Sequence, residues 1–251
     1  VHVDELSPEM IKVRDYVPEY AVIAHRGSTF WTPEETESAY RWAREIGADY
    51  LECDMQVSKD GVVLALHDDN LKRTTNIETV FGETLPREIR KNYYMKIGYS
   101  ETEAEEKVKA DEANFVPNLP AYYTYEELLM LDAGSWFNNE NLEEALPGLA
   151  KEKQYISTLE DLIMYSKGYR LIRDRNQPGM PRQYSIVGKT GETITSLSGT
   201  ADIVKYDFGY EIDPVWEAGN KNIPGIYIEF KEPWLNPKGF EQIVYDVLAN
   251  T

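Results

Sequence analysis

Three short apolar runs in the first 70 residues stop at, or contain, charged side chains. The run 20–24 stops at His25, the run 50–55 contains two acidic residues, and the run 62–66 stops at His67. Apolar residues at helical spacing separate the first run from the second. A strand, a helix and a strand within so short a stretch are typical of a parallel α/β unit. The sequence therefore predicts an α/β fold.

The predicted helix between the first two strands has several start signals. Thr32 can cap a helix, Pro33 suits the first helical position, and Glu35 completes a capping box with Thr32. Gly47 is a typical end signal. We therefore expect the helix to begin at Pro33, and we interpret Glu34 and Glu35 as helix-start residues and not as site residues.

The rest of the chain contains two irregular stretches and one further strand. Residues 77–155 mix aromatic and acidic side chains and are predicted to form a mainly helical insertion. Residues 169–222 are predicted to form a second insertion that carries a hairpin. The run 226–231 predicts another strand, and apolar residues at helical spacing over 240–248 predict a last helix.

Composition excludes several classes of protein and site. The chain has 44 acidic and 26 basic residues and a net charge of −18, which argues against nucleic-acid binding because phosphates must be neutralised by cations. Cys53 is the only cysteine, so an internal disulfide and a thiolate-rich zinc site are excluded. No apolar run reaches the length of a transmembrane helix, and no transmembrane segment is predicted. The oligomeric state is not determined by the sequence.

Acidic residues inside two predicted strands indicate a metal site. Glu52 and Asp54 share one face of their strand, and Glu229 and Lys231 share a face of theirs, because strand side chains alternate in direction. Burying such carboxylates costs several kcal/mol unless they are paired or bind a cation. The carboxyl ends of parallel strands form the rim where active sites lie. Ligands that are all oxygen atoms favour Ca²⁺ or Mg²⁺.

The same residues also allow plainer interpretations. A histidine at the end of a strand is more often structural than catalytic, and Glu52 can pair with Arg26 as a simple buried ion pair. The acidic and basic residues of the last strand can pair with each other in the same way. However, two of the three histidines, His25 and His67, end neighbouring predicted strands. This convergence favours a catalytic site.

The order and spacing of these motifs resemble those of a known family. The motifs are Ala24-His25-Arg26-Gly27, Pro33-Glu34-Glu35-Thr36, Glu52-Cys53-Asp54, Asp60-Gly61, His67-Asp68, Leu71-Lys72-Arg73-Thr74-Thr75, Asp132-Ala133-Gly134-Ser135-Trp136-Phe137 and Thr158-Leu159-Glu160. Together they resemble the signature of glycerophosphodiester phosphodiesterases. The later motif 228–231 (Ile-Glu-Phe-Lys) is similar to the branch known from bacterial periplasmic enzymes. One position departs from the pattern, since Glu35 stands where the family usually has Asn.

The resemblance implies a TIM-type (β/α)₈ barrel. About four strands can be recognised, so the chain is expected to cover roughly the N-terminal half of a barrel plus the two insertions. Residues 1–251 would then form one catalytic barrel domain that is incomplete at its C-terminal side. We expect an open, mostly parallel sheet, and we expect the native protein to continue beyond Thr251.

The resemblance also implies an activity and roles for particular residues. The activity is hydrolysis of glycerophosphodiesters to glycerol 3-phosphate and an alcohol through a cyclic phosphate. The implied roles are acid–base catalysis for His25 and His67, phosphate binding for Arg26 and Lys231, and coordination of one divalent cation, Ca²⁺ or Mg²⁺, for Glu52, Asp54 and Glu229. Which histidine acts first as the base is left open.

Three alternatives and the location stay open. The chain could instead be a related barrel phosphodiesterase that acts on intact phospholipids, a non-catalytic relative that binds phosphodiesters, or a purely structural acidic domain. The branch similarity implies a periplasmic or secreted location, although a single cysteine suits the cytoplasm equally well.

Overall fold

The computed structural model describes residues 7–141, 143, 153–219 and 221–251. In chain order its strands are β1 (Ile23–Ala24), β2 (Tyr50–Val57), β3 (Val63–Ala65), β4 (Tyr169–Leu171), β5 (Tyr184–Ser196), β6 (Gly199–Phe208), β7 (Tyr210–Ile212) and β8 (Gly225–Phe230). Its helices are α1 (Pro8–Tyr16), α2 (Glu37–Glu45), α3 (Ile77–Val80), α4 (Arg87–Lys96), α5 (Glu101–Ala113), α6 (Tyr125–Leu128), α7 (Ser135–Glu140), α8 (Leu159–Ser166), α9 (Pro214–Ala218) and α10 (Phe240–Asn250), with a 3₁₀ turn at Pro120–Tyr122.

The central sheet is organised around β2, which is buried along almost its whole length. Leu51 pairs with Ala24 of β1 and with Ile226 of β8, both in parallel, so these two strands lie on opposite edges of β2. The helix α2 connects β1 to β2. The predicted α/β class and the parallel β1–α2–β2 unit are therefore confirmed.

The third predicted strand is short and antiparallel to β2. Only residues 58–62 connect β2 to β3, and a parallel crossover needs about a dozen residues or more. The chain therefore turns back as a hairpin at Gly61, whose φ of +85° suits a glycine. As a result, His67 reaches the sheet from the hairpin's return strand and not from the carboxyl end of a parallel strand.

The helix α2 begins later than predicted. It starts at Glu37 with Thr36 as its N-cap, whereas Pro33 lies outside it. Glu35 has a φ of +55°, which is incompatible with a helix, and its N–H donates 2.9 Å to the carbonyl of Arg26. The predicted capping box therefore does not form, because Glu35 is turned towards the sheet.

The two predicted insertions both contact the turn between β2 and β3. Helices α3 to α7 lie in the first, and the second contains the long antiparallel hairpin of β5 and β6 together with β4, β7 and α9. Buried Asp60 in the turn between β2 and β3 accepts from Tyr125 N–H (2.9 Å) and from Tyr206 OH (2.6 Å). It thus joins both insertions to the sheet. Residues 142, 144–152 and 220 of the predicted insertions lie outside the described residues.

The sheet is open in the part of the chain that the structure describes. Its parallel strands are β1, β2 and β8, and no strand of the described residues pairs with the outer edge of β8. Tyr227 and Phe230 of β8 are exposed. The open sheet agrees with the expectation of part of a barrel, and continuation beyond Thr251 stays a prediction. Among the described helices, none is long and apolar enough to cross a membrane.

Candidate active site

Three carboxylates converge on β2 and β8. Glu52 and Asp54 lie on one face of β2, and Glu229 of β8 is the register partner of Asp54. One oxygen atom from each of the three lies within 4.8 Å of the others. Glu52 and Asp54 are buried, whereas the Glu229 side chain is 53% exposed, so the cluster opens to solvent on the β8 side.

Two oxygen atoms of this cluster are buried without a hydrogen bond from the described residues. They are Glu52 Oε1 and Asp54 Oδ2. Burial raises the pKa of both carboxyls above the usual value, and repulsion between the two groups adds to the rise for Glu52. A buried carboxylate oxygen without a hydrogen bond is destabilising unless a cation lies beside it. Asp54 Oδ2 has the Arg26 guanidinium group at 3.2 Å, whereas Glu52 Oε1 has no such cation among the described residues. The donor set is therefore suited to a hard divalent cation.

Two cationic side chains contact the same carboxylates. Lys231 Nζ lies 2.7 Å from Glu229 Oε1 and 3.6 Å from Asp54 Oδ1. Arg26 Nε lies 3.2 Å from Asp54 Oδ2, without the direction of a hydrogen bond, and Arg26 Nη1 lies 3.3 Å from Glu34 Oε1. The pairing of Glu229 with Lys231, named above as a plainer alternative, is thus present, but the Glu229 side chain is half-exposed and not buried. The Lys231 ammonium group lowers the pKa of Glu229.

A tight turn after β1 presents the backbone of Arg26 to Glu52. Arg26 has a φ of +57°, and its N–H donates 2.7 Å to Glu52 Oε2. Gly27 follows with a φ of +89°, and a Cβ there would lie 2.7 Å from the Cβ of Ala39 in α2. Only glycine allows this close approach of turn and helix. The alternative that Glu52 forms an ion pair with Arg26 is wrong, because the backbone of Arg26 and not its guanidinium group contacts Glu52.

The two histidines flank the carboxylates from different elements. His25 is exposed at the end of β1, and its charge acts on Glu52 to lower the pKa of that carboxyl, although burial outweighs it. His67 is half-buried beside Asp54, since the N–H of the preceding residue, Leu66, donates 2.8 Å to the Asp54 carbonyl. The structure therefore brings all seven predicted site residues to one region of the sheet.

Glu35 contributes to the site, contrary to its interpretation as a helix-start residue. Its Oε1 accepts 2.7 Å from the N–H of Asp54, and its Oε2 is buried without a hydrogen bond from the described residues. Burial raises the pKa of Glu35 well above the usual value, and the charge of Asp54 adds to the rise. Local spacing could not reveal this role, because the contact spans 19 residues along the chain.

A further network beside His67 was also missed from the sequence. Asp68 accepts from Arg73, and Arg73 donates from its other edge to Glu34, which lies 39 residues away in the chain. The sequence pattern predicts that Glu34 is a helix-start residue, whereas the structure places it between Arg73 and Arg26. The only sequence signal was the recurrence of acidic and basic residues around His67 and after Pro33.

Residues 25–185 match the model of the glycerophosphoryl diester phosphodiesterase family. The chain belongs to this family. The matched range contains both histidines, Glu52 and Asp54, whereas Glu229 and Lys231 lie beyond it and join the site through the pairing of β8 with β2. The expected barrel of this family is represented here by the open segment of β1, β2 and β8.

Individual relatives are similar over part of the chain. A glycerophosphoinositol inositolphosphodiesterase of Mus musculus is 29% identical over 202 residues, which cover 76% of this chain and 32% of the relative. A glycerophosphodiester phosphodiesterase of Bacillus subtilis (strain 168) is 29% identical over 141 residues, which cover 56% of this chain and 34% of the relative.

One solved structure also matches part of the chain. A phosphodiesterase of Oleispira antarctica, in complex with the product sn-glycerol-3-phosphate, is 26% identical with a TM-score of 0.37 and covers 62% of this chain and 44% of that chain. The chain therefore spans about a third of the length of these two curated relatives and 44% of this solved one.

Proposed function

We propose that this chain carries the metal site and the acid–base pair of a glycerophosphodiester phosphodiesterase, which releases glycerol 3-phosphate and an alcohol. The observation that carries the proposal is the convergence of Glu52, Asp54 and Glu229, with oxygen atoms within 4.8 Å of one another, beside His25 and His67. Family membership supports it, as does the glycerol 3-phosphate product in the Oleispira antarctica relative.

The three carboxylates would hold one divalent cation, Ca²⁺ or Mg²⁺. Support comes from Glu52 Oε1 and Asp54 Oδ2, which are buried and lack a hydrogen bond from the described residues. When bound, such a cation neutralises phosphate charge and orients the diester. The cluster opens to solvent beside the half-exposed Glu229, so a substrate can approach from that side.

Arg26 and Lys231 would bind the phosphate oxygens. Both cations already lie within 4 Å of Asp54, at 3.2 and 3.6 Å respectively, so they border the carboxylate cluster. Arginine presents a planar fork to phosphate, and lysine supplies a point charge. The net charge of −18 makes such local cations necessary for binding an anion.

His25 and His67 would transfer the protons. In the first step one imidazole takes the proton from a glycerol hydroxyl while that oxygen attacks phosphorus, and the other donates a proton to the leaving alkoxide. The P–O bond to the alcohol breaks and a cyclic phosphate forms. In the second step the roles reverse, as water adds and the ring opens to glycerol 3-phosphate. Imidazole suits both roles because it titrates near neutral pH.

A second candidate is hydrolysis of intact phospholipids, and one observation favours it. Phe30 and Trp31, in the loop that follows the motif of His25, form an edge-to-face pair 5.1 Å apart. Their exposures are 63% and 37%. Exposed aromatic side chains beside a catalytic site can contact lipid at a membrane surface.

The test is an assay of the intact protein that detects both glycerol 3-phosphate and phosphatidate. Glycerophosphocholine, glycerophosphoethanolamine and glycerophosphoinositol would each be offered with and without EDTA, beside vesicles of phosphatidylcholine. We expect release from the soluble diesters that EDTA abolishes. Release of phosphatidate from the vesicles alone would favour the second candidate, and absence of any product would contradict both.

We also propose a periplasmic or secreted location, supported by the similarity of residues 228–231 to the periplasmic branch. Fractionation of source cells with an antibody to the protein tests this. Recovery in the cytoplasmic fraction alone would contradict it.

A further inference from the structure

Arg73 joins two carboxylates at the rim of the site. Its Nε and Nη2 donate to Asp68 Oδ2 (2.6 Å) and Oδ1 (2.9 Å), and its Nη1 and Nη2 donate to Glu34 Oε2 (2.9 Å) and Oε1 (2.6 Å). The planar fork of arginine is thus engaged on both edges. Such bidentate contacts fix the orientation of a carboxylate as well as its position.

Asp68 in turn contacts one ring nitrogen of His67. His67 Nδ1 and Asp68 Oδ1 are 2.6 Å apart. Hydrogen bonds from Arg73, together with the contact with His67, lower the pKa of Asp68 to about 2, although partial burial opposes the shift. Asp68 is therefore an ionised carboxylate that can only accept a hydrogen bond. It follows that Nδ1 of His67 carries the proton in this contact.

The other ring nitrogen remains available. No side chain or backbone group among the described residues forms a hydrogen bond with Nε2 of His67. The ring lies near the carboxylate cluster. At this position His67 acts on both Asp54 and Glu229 to lower the pKa of those carboxyls. With the proton fixed on Nδ1, the neutral ring has its lone pair on Nε2.

We propose that Asp68 and Arg73 are positioning residues that hold His67 in the Nδ1–H tautomer, so that Nε2 is the atom that exchanges a proton with the substrate. Only the last clause rests on the proposed function. Arg73 prevents Asp68 from rotating away from the ring, since it grips both oxygens of that carboxylate. Through Glu34, which also contacts Arg26, the same arginine connects the acid–base site to the phosphate-binding site.

The first measurement reads the tautomer directly and needs no activity. Ring ¹⁵N chemical shifts distinguish a protonated from an unprotonated nitrogen, and the chain has three histidines, which His25→Gln and His67→Gln variants would assign. At a pH where the ring is neutral, we expect the intact protein to show His67 protonated at Nδ1. In Asp68→Asn the amide can donate to Nδ1, so the proton should move to Nε2.

The second measurement is kinetic. Asp68→Asn should lower kcat at least about 100-fold, the range for loss of a general acid or base, with KM changed less than about threefold. Arg73→Met should give a mixture of tautomers and lower kcat by about 10- to 100-fold. Arg73→Lys keeps the positive charge but lacks the planar fork of arginine. Its kcat should lie between those of the wild type and Arg73→Met. The matched control is Lys72→Met, whose side chain pairs with exposed Glu78 and should change neither readout.

Each outcome decides the inference. A wild-type His67 protonated at Nε2, or an Asp68→Asn variant with an unchanged tautomer, would overturn it. If Arg73→Met fails to fold, as judged by circular dichroism, the Asp68→Asn and Arg73→Lys spectra still decide. If the wild-type protein hydrolyses no diester, the proposed function fails, whereas the tautomer spectra still support or contradict the positioning roles.

Discussion

Glu35 Oε1 accepts a hydrogen bond of 2.7 Å from the backbone N–H of Asp54. A side chain from the loop before α2 therefore fixes the backbone at a proposed metal ligand. The second oxygen of Glu35 is buried without a hydrogen bond from the described residues, and its carboxyl lies near Asp54, Glu34 and Glu52. The contact holds the backbone of Asp54 in place, but it also adds another carboxyl group to a cluster of acidic side chains.

The first prediction follows from the raised pKa of Glu35. A carboxyl with a folded-state pKa well above the usual 4.5 takes up protons on folding, so its favourable contribution is present below about pH 4.5 and is lost as pH rises towards the folded-state pKa. Glu35→Gln keeps the acceptor for Asp54 and removes the charge. At pH 8 without metal it should increase the free energy of unfolding by about 1–3 kcal/mol in urea denaturation, and the gain should shrink towards pH 4.

The matched control for Glu35 is Glu106→Gln on α5, where the side chain is exposed. That variant should change the free energy of unfolding by less than about 0.5 kcal/mol at either pH. If Glu35→Gln is less stable than wild type at pH 8, the carboxylate is stabilised by a contact that the structure does not contain.

The second prediction concerns the acid–base pair. His25→Ala and His67→Ala should each lower kcat at least about 100-fold, because each removes a group that transfers a proton. Circular dichroism should show unchanged secondary structure, since His25 is exposed and His67 only half-buried. Near-normal turnover in either variant would mean that its histidine has no catalytic role.

The third prediction separates metal binding from phosphate binding at Lys231. This cation lies 2.7 Å from Glu229 and 3.6 Å from Asp54, so it competes with a metal for both carboxylates. Lys231→Met should raise KM for the diester by about 10- to 100-fold, the effect of losing one charge-assisted hydrogen bond. Calorimetric titration should show that Ca²⁺ affinity is not reduced. Exposed Lys238 provides the control, as Lys238→Met should change neither quantity. Weaker Ca²⁺ binding in Lys231→Met would be inconsistent with this assignment.

The fourth prediction uses stability as a readout of metal binding. A ligand that binds only the folded state stabilises it by about 2.7 kcal/mol at 100 times its dissociation constant. Ca²⁺ or Mg²⁺ should therefore raise the melting temperature of the wild type but not that of Asp54→Asn. Asp246→Asn, which neutralises an exposed carboxyl on α10, should respond like the wild type. An equal response in Asp54→Asn would place the cation elsewhere.

The local parts of this site could be predicted from the sequence, and the long-range parts could not. The β1–α2–β2 unit and the shared face of Glu52 and Asp54 follow from periodicity over a few residues. The start of α2 was predicted wrongly because a contact from Glu35 to Asp54, 19 residues away, outweighs a local capping pattern. Spacing gives no information about such contacts. Family resemblance supplied the role of Glu229, which periodicity alone could only place on a strand.

The network beside His67 illustrates the same limit. Asp68 is next to His67 in the chain, but its orientation is set by Arg73, and Arg73 is held by Glu34 from a loop 39 residues earlier. The antiparallel direction of β3, in contrast, can be predicted from the sequence, because a connection of residues 58–62 is too short for a parallel crossover.

The most direct test of the metal site is a crystal structure of the intact protein with Ca²⁺ or Mn²⁺, in which anomalous scattering locates the ion. We predict one ion bound by oxygen atoms of Glu52, Asp54 and Glu229, at about 2.3–2.6 Å for Ca²⁺. In the same crystals Lys231 should have moved away from Glu229. An ion bound elsewhere, or the three carboxylates left without an ion at saturating concentration, would contradict the account.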